Sequence, residues 1–331
     1  MVSISNKAAL RLVHAGAAIR AARETPERDK AFMARALVQV TLPHSDPGDV
    51  PEWQRKNGWL TLTIVPYRQG GRNLYPYGSI PRLLLMWIVT EAARTKCRRL
   101  ELGQSLAEFM RQVGLNPATG GGKRGDAARL RDQMVRLFRA HFTVEEIRPG
   151  NGSVGMRWQS LGMVEHGEIW WSLPNANQQS LFGSYIVLGE TFFRLATEGP
   201  VPLDRRALAA LRRSPLALDV YAWSTYRVFT LTRARLLKQF ISWGVLHQQF
   251  GADYADLNNF RKAFSLALRR VAAVYPELRY QPRKGGFDLF PGRPAVAERD
   301  SGKPKPIQGE TVPPRNAVPQ RRSSLIARIE G

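Results

Sequence analysis

Large apolar residues alternate with threonine in Trp59 to Tyr67 (WLTLTIVPY), the period of a strand with one buried face. A dense apolar run from Pro81 to Thr95 follows and reads as a helix, begun on a proline whose missing N–H costs nothing there. Arg99 to Gly103 returns to alternation as a short strand. Ser105 with Glu108 three residues on makes a capping-box pattern for a helix that ends at Gly114. Beyond a glycine-rich turn (Gly120, Gly121, Gly122, Lys123, Arg124, Gly125), a third helix is predicted from about Asp126 to Ala140. Two strands, His141 to Arg148 and Val154 to Ser172, then enclose a turn from Pro149 to Gly152. Helix, strand, helix, helix, hairpin is the order of a winged helix-turn-helix domain.

The second half repeats this order without visible sequence identity. Tyr185 to Leu195 reads as a strand, Leu203 to Leu211 as a short helix and Pro215 to Phe229 as a longer one. Ile241 to Phe250 is a compact helix stopped by Gly251, and Leu257 to Tyr275 is a helix closed by Pro276. Arg279 to Gln281 and Phe287 to Phe290 read as strands around Arg283, Lys284, Gly285 and Gly286. Outside these halves, residues 1–58 begin with an Ala/Arg-rich stretch and run into Pro43, Pro47, Gly48 and Pro51, a pattern read as a flexible arm and linker. Residues 291–331 are rich in proline, lysine, arginine and serine and read as a disordered basic tail. The expected fold class is therefore α+β: two tandem winged-helix domains, 59–183 and 184–290, between arm and tail.

Charge narrows the function. The 331 residues carry 49 Lys and Arg against 27 Asp and Glu, a formal +22, while the apolar share of 44% is enough for folded cores. A folded surface this basic calls for an acidic partner, nucleic acid first, an anionic membrane surface or acidic protein second. The longest apolar run, Leu83 to Val89, is far short of the roughly 20 residues of a membrane span, so a soluble protein is expected. No secretory pattern is read at the N-terminus, and the single cysteine, Cys97, fits a reducing cytoplasm and excludes an internal disulfide or multi-Cys zinc cluster. The five histidines are scattered, with no i,i+4 pair to share a metal. No cofactor, metal or catalytic residue is expected.

The helix from Leu257 carries the clearest chemistry. At about 100° per residue, Asn258, Arg261, Lys262, Ser265 and Arg269 share one arc of about 100°, with Asn259 beside them. Phe260, Phe264, Ala267, Leu268, Val271 and Val274 cover the other side. Arg and Lys can reach guanine O6 and N7, and Asn can pair with adenine N6 and N7, so this face suits a DNA major groove. An ordinary solvated helix face would look the same in isolation. The preceding compact helix, the absence of acid on the face and the basic hairpin tip at Arg283 and Lys284 favour the groove-reading alternative. In the first half, Arg129, Asp132, Gln133, Arg136 and Arg139 share one side of a helix, and Lys123 and Arg124 precede it in a loop that could cradle phosphate at a helix N-terminus. That loop is not an ATP-binding P-loop: Arg124 stands where Ser or Thr must follow the lysine, and Pro117 where the first glycine belongs. Nuclease or nicking chemistry would need clustered carboxylates. Acidic residues are sparse: Glu145 with Glu146, and Glu165 and Glu168 around His166, are the tight groups, and both fall on predicted hairpin strands.

Five runs resemble a known family: YPYGSIPRLLLMWIVTEAART from Tyr75, LGQSLAEFMRQVGL from Leu102, ARLRDQMVRLF from Ala128, SPLALDVYAWSTYR from Ser214 and ISWGVLHQQFGADYADLNNFRKAFSLALRRVAAVYP from Ile241. They resemble RepA-type replication initiators of broad-host-range bacterial plasmids, over about residues 59–290. The resemblance implies paired winged-helix domains that bind iterons in double-stranded origin DNA, open adjacent AT-rich DNA and recruit a host initiator and helicase. It also implies initiating monomers and a homodimer, inactive or repressing, joined through the first domain. Carried onto this chain, Asn258, Arg261, Lys262, Ser265 and Arg269 become base and phosphate contacts of a recognition helix, Arg283 and Lys284 its wing, and Lys123, Arg124, Arg129 and Arg136 the first domain's contacts. A repressor without initiator activity and a DNA-nicking enzyme or recombinase remain alternatives.

Overall fold

The computed structural model describes residues 6–22, 24–118, 125–150, 153–171, 177–180, 183–251 and 253–296. It mixes helices and sheets. The N-terminal segment holds α1 (Asn6–Ala21), a 3-10 turn (Glu27–Asp29), β1 (Lys30–Met33), α2 (Arg35–Gln39) and β2 (Trp53–Asn57). The first half continues with β3 (Leu60–Val65), the small hairpin β4 (Tyr67–Gln69) and β5 (Arg72–Leu74), then α3 (Ser79–Thr95), β6 (Arg99–Glu101), α4 (Leu106–Gln112), α5 (Asp126–Arg139), β7 (His141–Pro149), β8 (Val154–Gly162) and β9 (Val164–Glu168). The second half comprises β10 (Tyr185–Leu188), α6 (Glu190–Thr197), β11 (Val201–Asp204), α7 (Arg205–Leu211), α8 (Pro215–Arg233), β12 (Gln239–Ser242), α9 (Trp243–Phe250), α10 (Leu257–Val274), β13 (Tyr280–Arg283) and β14 (Gly286–Leu289).

Two apolar helices form the centres of the halves. Every side chain of α3 from Ile80 to Thr90 is buried, as is every one of α8 from Leu216 to Thr225, which is why both read as dense apolar runs and not as amphipathic stripes. The first half contains an antiparallel sheet in the order β2-β3-β7-β8, and the second contains one in the order β12-β14-β13. The halves differ in one respect. In the second, β12 joins the sheet of the hairpin that follows it, whereas in the first, β6 pairs with β10, in a sheet ordered β6-β10-β9, and not with β7 or β8. The stretch Val154 to Ser172 is accordingly not one strand: it breaks at the fully buried Met163, and β9 changes partner to β10. Tyr185 to Leu195 likewise divides into β10 and α6. Alternation marks a half-buried strand but not where its partner changes.

The flexible arm expected at residues 1–58 is corrected. Helix α1 packs against α7 and α10, β1 pairs antiparallel with β11 from Lys30↔Asp204 to Met33↔Val201, and β2 pairs with β3. The apolar residues Leu12, Ala31, Met33, Leu37, Val38, Val40 and Leu42 are all buried and supply the driving force. Gly16 permits the closest approach: a Cβ there would sit 1.9 Å from the carbonyl oxygen of Ala273 on α10. At the other end, residues 291–296, expected to belong to a disordered tail, are packed against the second half. Arg279 donates to Pro291 O (2.6 Å), Tyr275 Oη to Arg293 O (2.8 Å), and Val296 is buried. The remainder of the expected tail, from 297, lies outside the described residues. All the described residues fall within one compact unit.

A buried ionic network ties the N-terminal segment to both halves. Arg82 of α3 donates through Nε and Nη2 to the two carboxylate oxygens of Asp219 on α8, both at 2.8 Å. It also donates to the carbonyls of Leu42 (2.6 Å), Pro43 (2.9 Å) and Gly78 (2.7 Å). His44 Nε2 lies 2.8 Å from Asp219 Oδ2. Burial alone would push the Asp219 carboxyl up, but the charge of Arg82 and the hydrogen bonds of Arg82 and His44 outweigh it and hold it at about 2. Burial lowers His44 in spite of that bond. Nearby on β2, Arg55 is fully buried with no hydrogen-bond partner on any guanidinium nitrogen, 4.8 Å above the Trp53 ring, and burial lowers it to about 10.

Candidate nucleic-acid interface

The segment from Ser242 to Leu289 begins with two helix caps. Ser242 Oγ accepts from Val245 N and starts α9; Asp256 accepts from Asn258 N (3.1 Å) and Asn259 N (3.0 Å) and starts α10. Those two backbone donors hold the Asp256 carboxyl below its ordinary range. Aromatic side chains fix the two helices against each other: Phe250 and Trp243 meet Phe264 at 5.7 and 6.0 Å, and His247 meets Phe260 at 5.2 Å. His247 Nε2 is also 3.0 Å from Tyr254 O, across the turn between the helices.

On α10 the six apolar residues named from the sequence, Phe260 through Val274, are all buried. Opposite them, Asn258, Asn259, Arg261, Lys262 and Arg269 are exposed and Ser265 is half-buried. The two carboxylates just before this helix are already engaged: Asp256 caps it, and Asp253 accepts from His44 N, Ser45 N and Ser45 Oγ at 2.8–3.0 Å. Arg261 is held in place, its guanidinium carbon 5.6 Å from the centre of the Trp243 ring and its Nη1 3.4 Å from Asn258 Oδ1. The β13–β14 turn stands beside the start of α9, where Trp243 N donates to Gly285 O (2.9 Å). Gly285 has φ +83°, the left-handed conformation that lets this turn close. Lys284 is exposed at its tip. Arg283, half-exposed, lies 3.2 Å from the buried carboxylate of Asp288, which also accepts from Lys238 Nζ at 3.0 Å.

The first half departs from expectation. Lys123 and Arg124 lie outside the described residues. Arg129 is exposed and 3.4 Å from Asp126. Arg136 is corrected: its side chain is only 13% exposed, bound to Asp132 (2.9 Å), near Asp46 (3.7 Å), and donating to Tyr75 O (3.3 Å). Gln133 on the same side is buried and accepts from Tyr77 N. The chain entering α3 crosses this face of α5, so two of the five polar residues there are packing groups. Trp243, Lys238 and Asp288 were not singled out from the sequence. The only signal for Asp288 is its place between Phe287 and Leu289 in a short apolar strand, where an acid needs cationic partners.

Among the described residues no group of three or more His, Cys, Asp or Glu is placed to hold a metal, and no helix is long and apolar enough to cross a membrane. Residues 75–245, just over half the chain, match the family model described as plasmid encoded RepA protein, RepA_C. The chain belongs to this family of plasmid replication proteins. The matched span runs from just before α3 into α9 and leaves α10 and the β13–β14 turn beyond its end. No curated protein sequence matches the chain. Among solved structures, the crystal structure of selenomethionine derivatives of domains 2 and 3 of RctB is similar at 13% identity and a TM-score of 0.43, covering 76% of this chain and 94% of that one.

Proposed function

We propose that the chain is a plasmid replication initiator that binds directly repeated sites in double-stranded DNA, promotes opening of adjacent AT-rich DNA and recruits the host initiator and helicase in the cytoplasm. The observation that carries this reading is α10: an exposed face of Asn258, Asn259, Arg261, Lys262, Ser265 and Arg269, backed by a buried aromatic core and flanked by α9 and the Lys284 turn. In this reading α8, α9, α10 and the β12-β14-β13 sheet form a winged-helix domain, 184–290, with α10 in the major groove and Arg283 and Lys284 on phosphate. The domain at 59–183 contributes Arg129, with Lys123 and Arg124, to backbone contact, and residues 6–57 strap the two together.

The same first domain is where a homodimer would form. Strand β8 is an edge of its sheet, and Val154, Met156 and Trp158, alternating along it, are 71%, 58% and 64% exposed. An open edge bearing an apolar row favours pairing with a second chain. Two domains in tandem on one face of DNA would occupy about 20 base pairs, two turns of about 10–10.5 each. The test is a footprint on the plasmid's own origin region at two salt concentrations, followed by permanganate probing for strand opening. Protection of direct repeats with opening nearby is expected. A footprint of about ten base pairs would remove the two-domain reading, binding without opening would leave a repressor, and metal-dependent nicking of supercoiled plasmid would make it an enzyme.

A further inference from the structure

Along its outer strand β12 and the turn before it, the β12-β14-β13 sheet carries an apolar strip among basic residues. Helix α8 ends in a fully bonded cap: Leu236 N donates to Leu231 O and Arg235 N to Thr232 O, both 3.1 Å, with Arg235 at φ +53°. These are the two bonds of a Schellman motif, so the turn is an ordered projection and not a frayed end. It drives Leu237 outward to 88% exposure, more than any other large apolar side chain described, and Phe240 on β12 is 49% exposed. Arg233 and Arg235 are exposed beside them. Lys238 shares the single buried carboxylate of Asp288 with Arg283, which leaves the strip net positive.

Among the described residues β12 is an edge strand with no neighbour on its outer side. The bond from Trp243 N to Gly285 O sets the alternation, so Ile241 and Gln239 face β14 and the main-chain N–H and C=O of Phe240 point to the free edge. Leu237 precedes β12 and lies at the end of the strip away from the Lys284 turn, whereas the Phe240 ring reaches back toward Gly286, where a Cβ would lie 3.0 Å from its Cζ. A second copy of this chain is a poor occupant, because Arg233, Arg235 and Lys238 would meet their own counterparts.

We propose that this edge docks an extended acidic segment of a partner protein, carrying alternate apolar residues that cover Leu237 and Phe240, and that it does so while DNA occupies the α10 face. The simultaneous DNA contact rests on the function proposed above; the peptide contact does not. Main-chain pairing with β12 would supply affinity, and the Arg233 and Arg235 charges would select the acidic segment.

The probe is a short fluorescein-labelled peptide in which glutamate alternates with valine, titrated by anisotropy into the full chain with and without a saturating origin duplex. Binding is expected in both cases, weakened by salt, and reduced at least about tenfold by Leu237→Asp, by Arg235→Glu and by N-methylation of alternate peptide amides. Both substituted side chains are exposed, and equal thermal midpoints for variants and parent confirm folding. No binding, equal binding to parent and variants, or indifference to N-methylation overturns the proposal, as does displacement of the peptide by the duplex. Failure of the DNA reading is seen separately: the parent chain would then show no preference for the origin duplex over random DNA, whatever the peptide does.

Discussion

Asp219→Asn keeps the shape of the side chain that joins the two halves and removes its charge. Arg82 would retain its three carbonyl acceptors, at 2.6, 2.9 and 2.7 Å, but lose the carboxylate held at 2.8 Å by two of its nitrogens. With Arg55 also buried and without a hydrogen-bond partner, the junction would hold two buried cations and no buried anion. Breaking a buried pair costs about 3–5 kcal/mol, and the surviving carbonyls place this case near the lower end, about 3 kcal/mol. Titration gives a similar size: an Asp219 carboxyl at about 2 in the folded chain, against an ordinary 3.8, is worth about 2–3 kcal/mol. Because the folded value is depressed, this stability is fully present above about pH 4 and disappears as pH falls toward 2. Urea unfolding followed by tryptophan fluorescence at pH 7 measures the loss, and the same titration between pH 5 and 2 measures its proton dependence. A loss below about 1 kcal/mol, or parent and variant declining in parallel from pH 4 to 2, would refute an ion pair as the tie between the halves.

Other outcomes follow from the same geometry. His44, lowered by burial, resists protonation in the folded chain, so stability falls as pH drops below about 6.5, and His44→Asn should abolish that limb while leaving the one due to Asp219. Arg261→Ala should cost about 1–3 kcal/mol on the specific site and relax one base position; equal losses on specific and random duplexes would make Arg261 a phosphate contact only. Lys284→Ala should weaken all sequences alike and lower the slope of log affinity against log salt by about one, which titration at several salt concentrations reads directly. Gly16→Ala should destabilise by about 1–3 kcal/mol in thermal unfolding, since α1 must back away from the Ala273 carbonyl; an unchanged midpoint would mean that α1 does not pack there in solution.

What was legible in the sequence is what neighbours in the chain decide. The apolar back of α10, the Gly251 stop and the α5 boundaries emerge from spacing alone, and the capping box at Ser105 forms, with one change: Glu108 accepts from Gln104 N (2.8 Å) while Ser105 Oγ accepts from Glu108 N (3.2 Å). What was illegible depends on partners far away. Arg136, with Asp132 one turn back, looks solvent-exposed until Asp46 and Tyr75 arrive from upstream, and β1 looks like linker until β11 pairs with it. Arg82 sits in an apolar helix as an apparent blemish, because nothing local shows that Asp219 will face it from α8. The exposure of the α10 face was legible for the opposite reason: its polar residues share the solvent side of one helix, which periodicity alone describes.

The position of α1 has a consequence for how the molecule comes into being. Helix α1 rests on α7 and α10, which are synthesised long after it, and β1 waits for β11, so these segments complete their contacts only after residue 273 has been made. Such closure over nearly the whole length gives slow, late-cooperative folding, with Leu12, Met33 and Leu37 uncovered in the interim. It also means that the groove-facing half cannot be excised cleanly. A fragment beginning near residue 184 would bare the back of α10 and leave β11 an unpaired edge, and shortening the N-terminus would do the same damage from the other end.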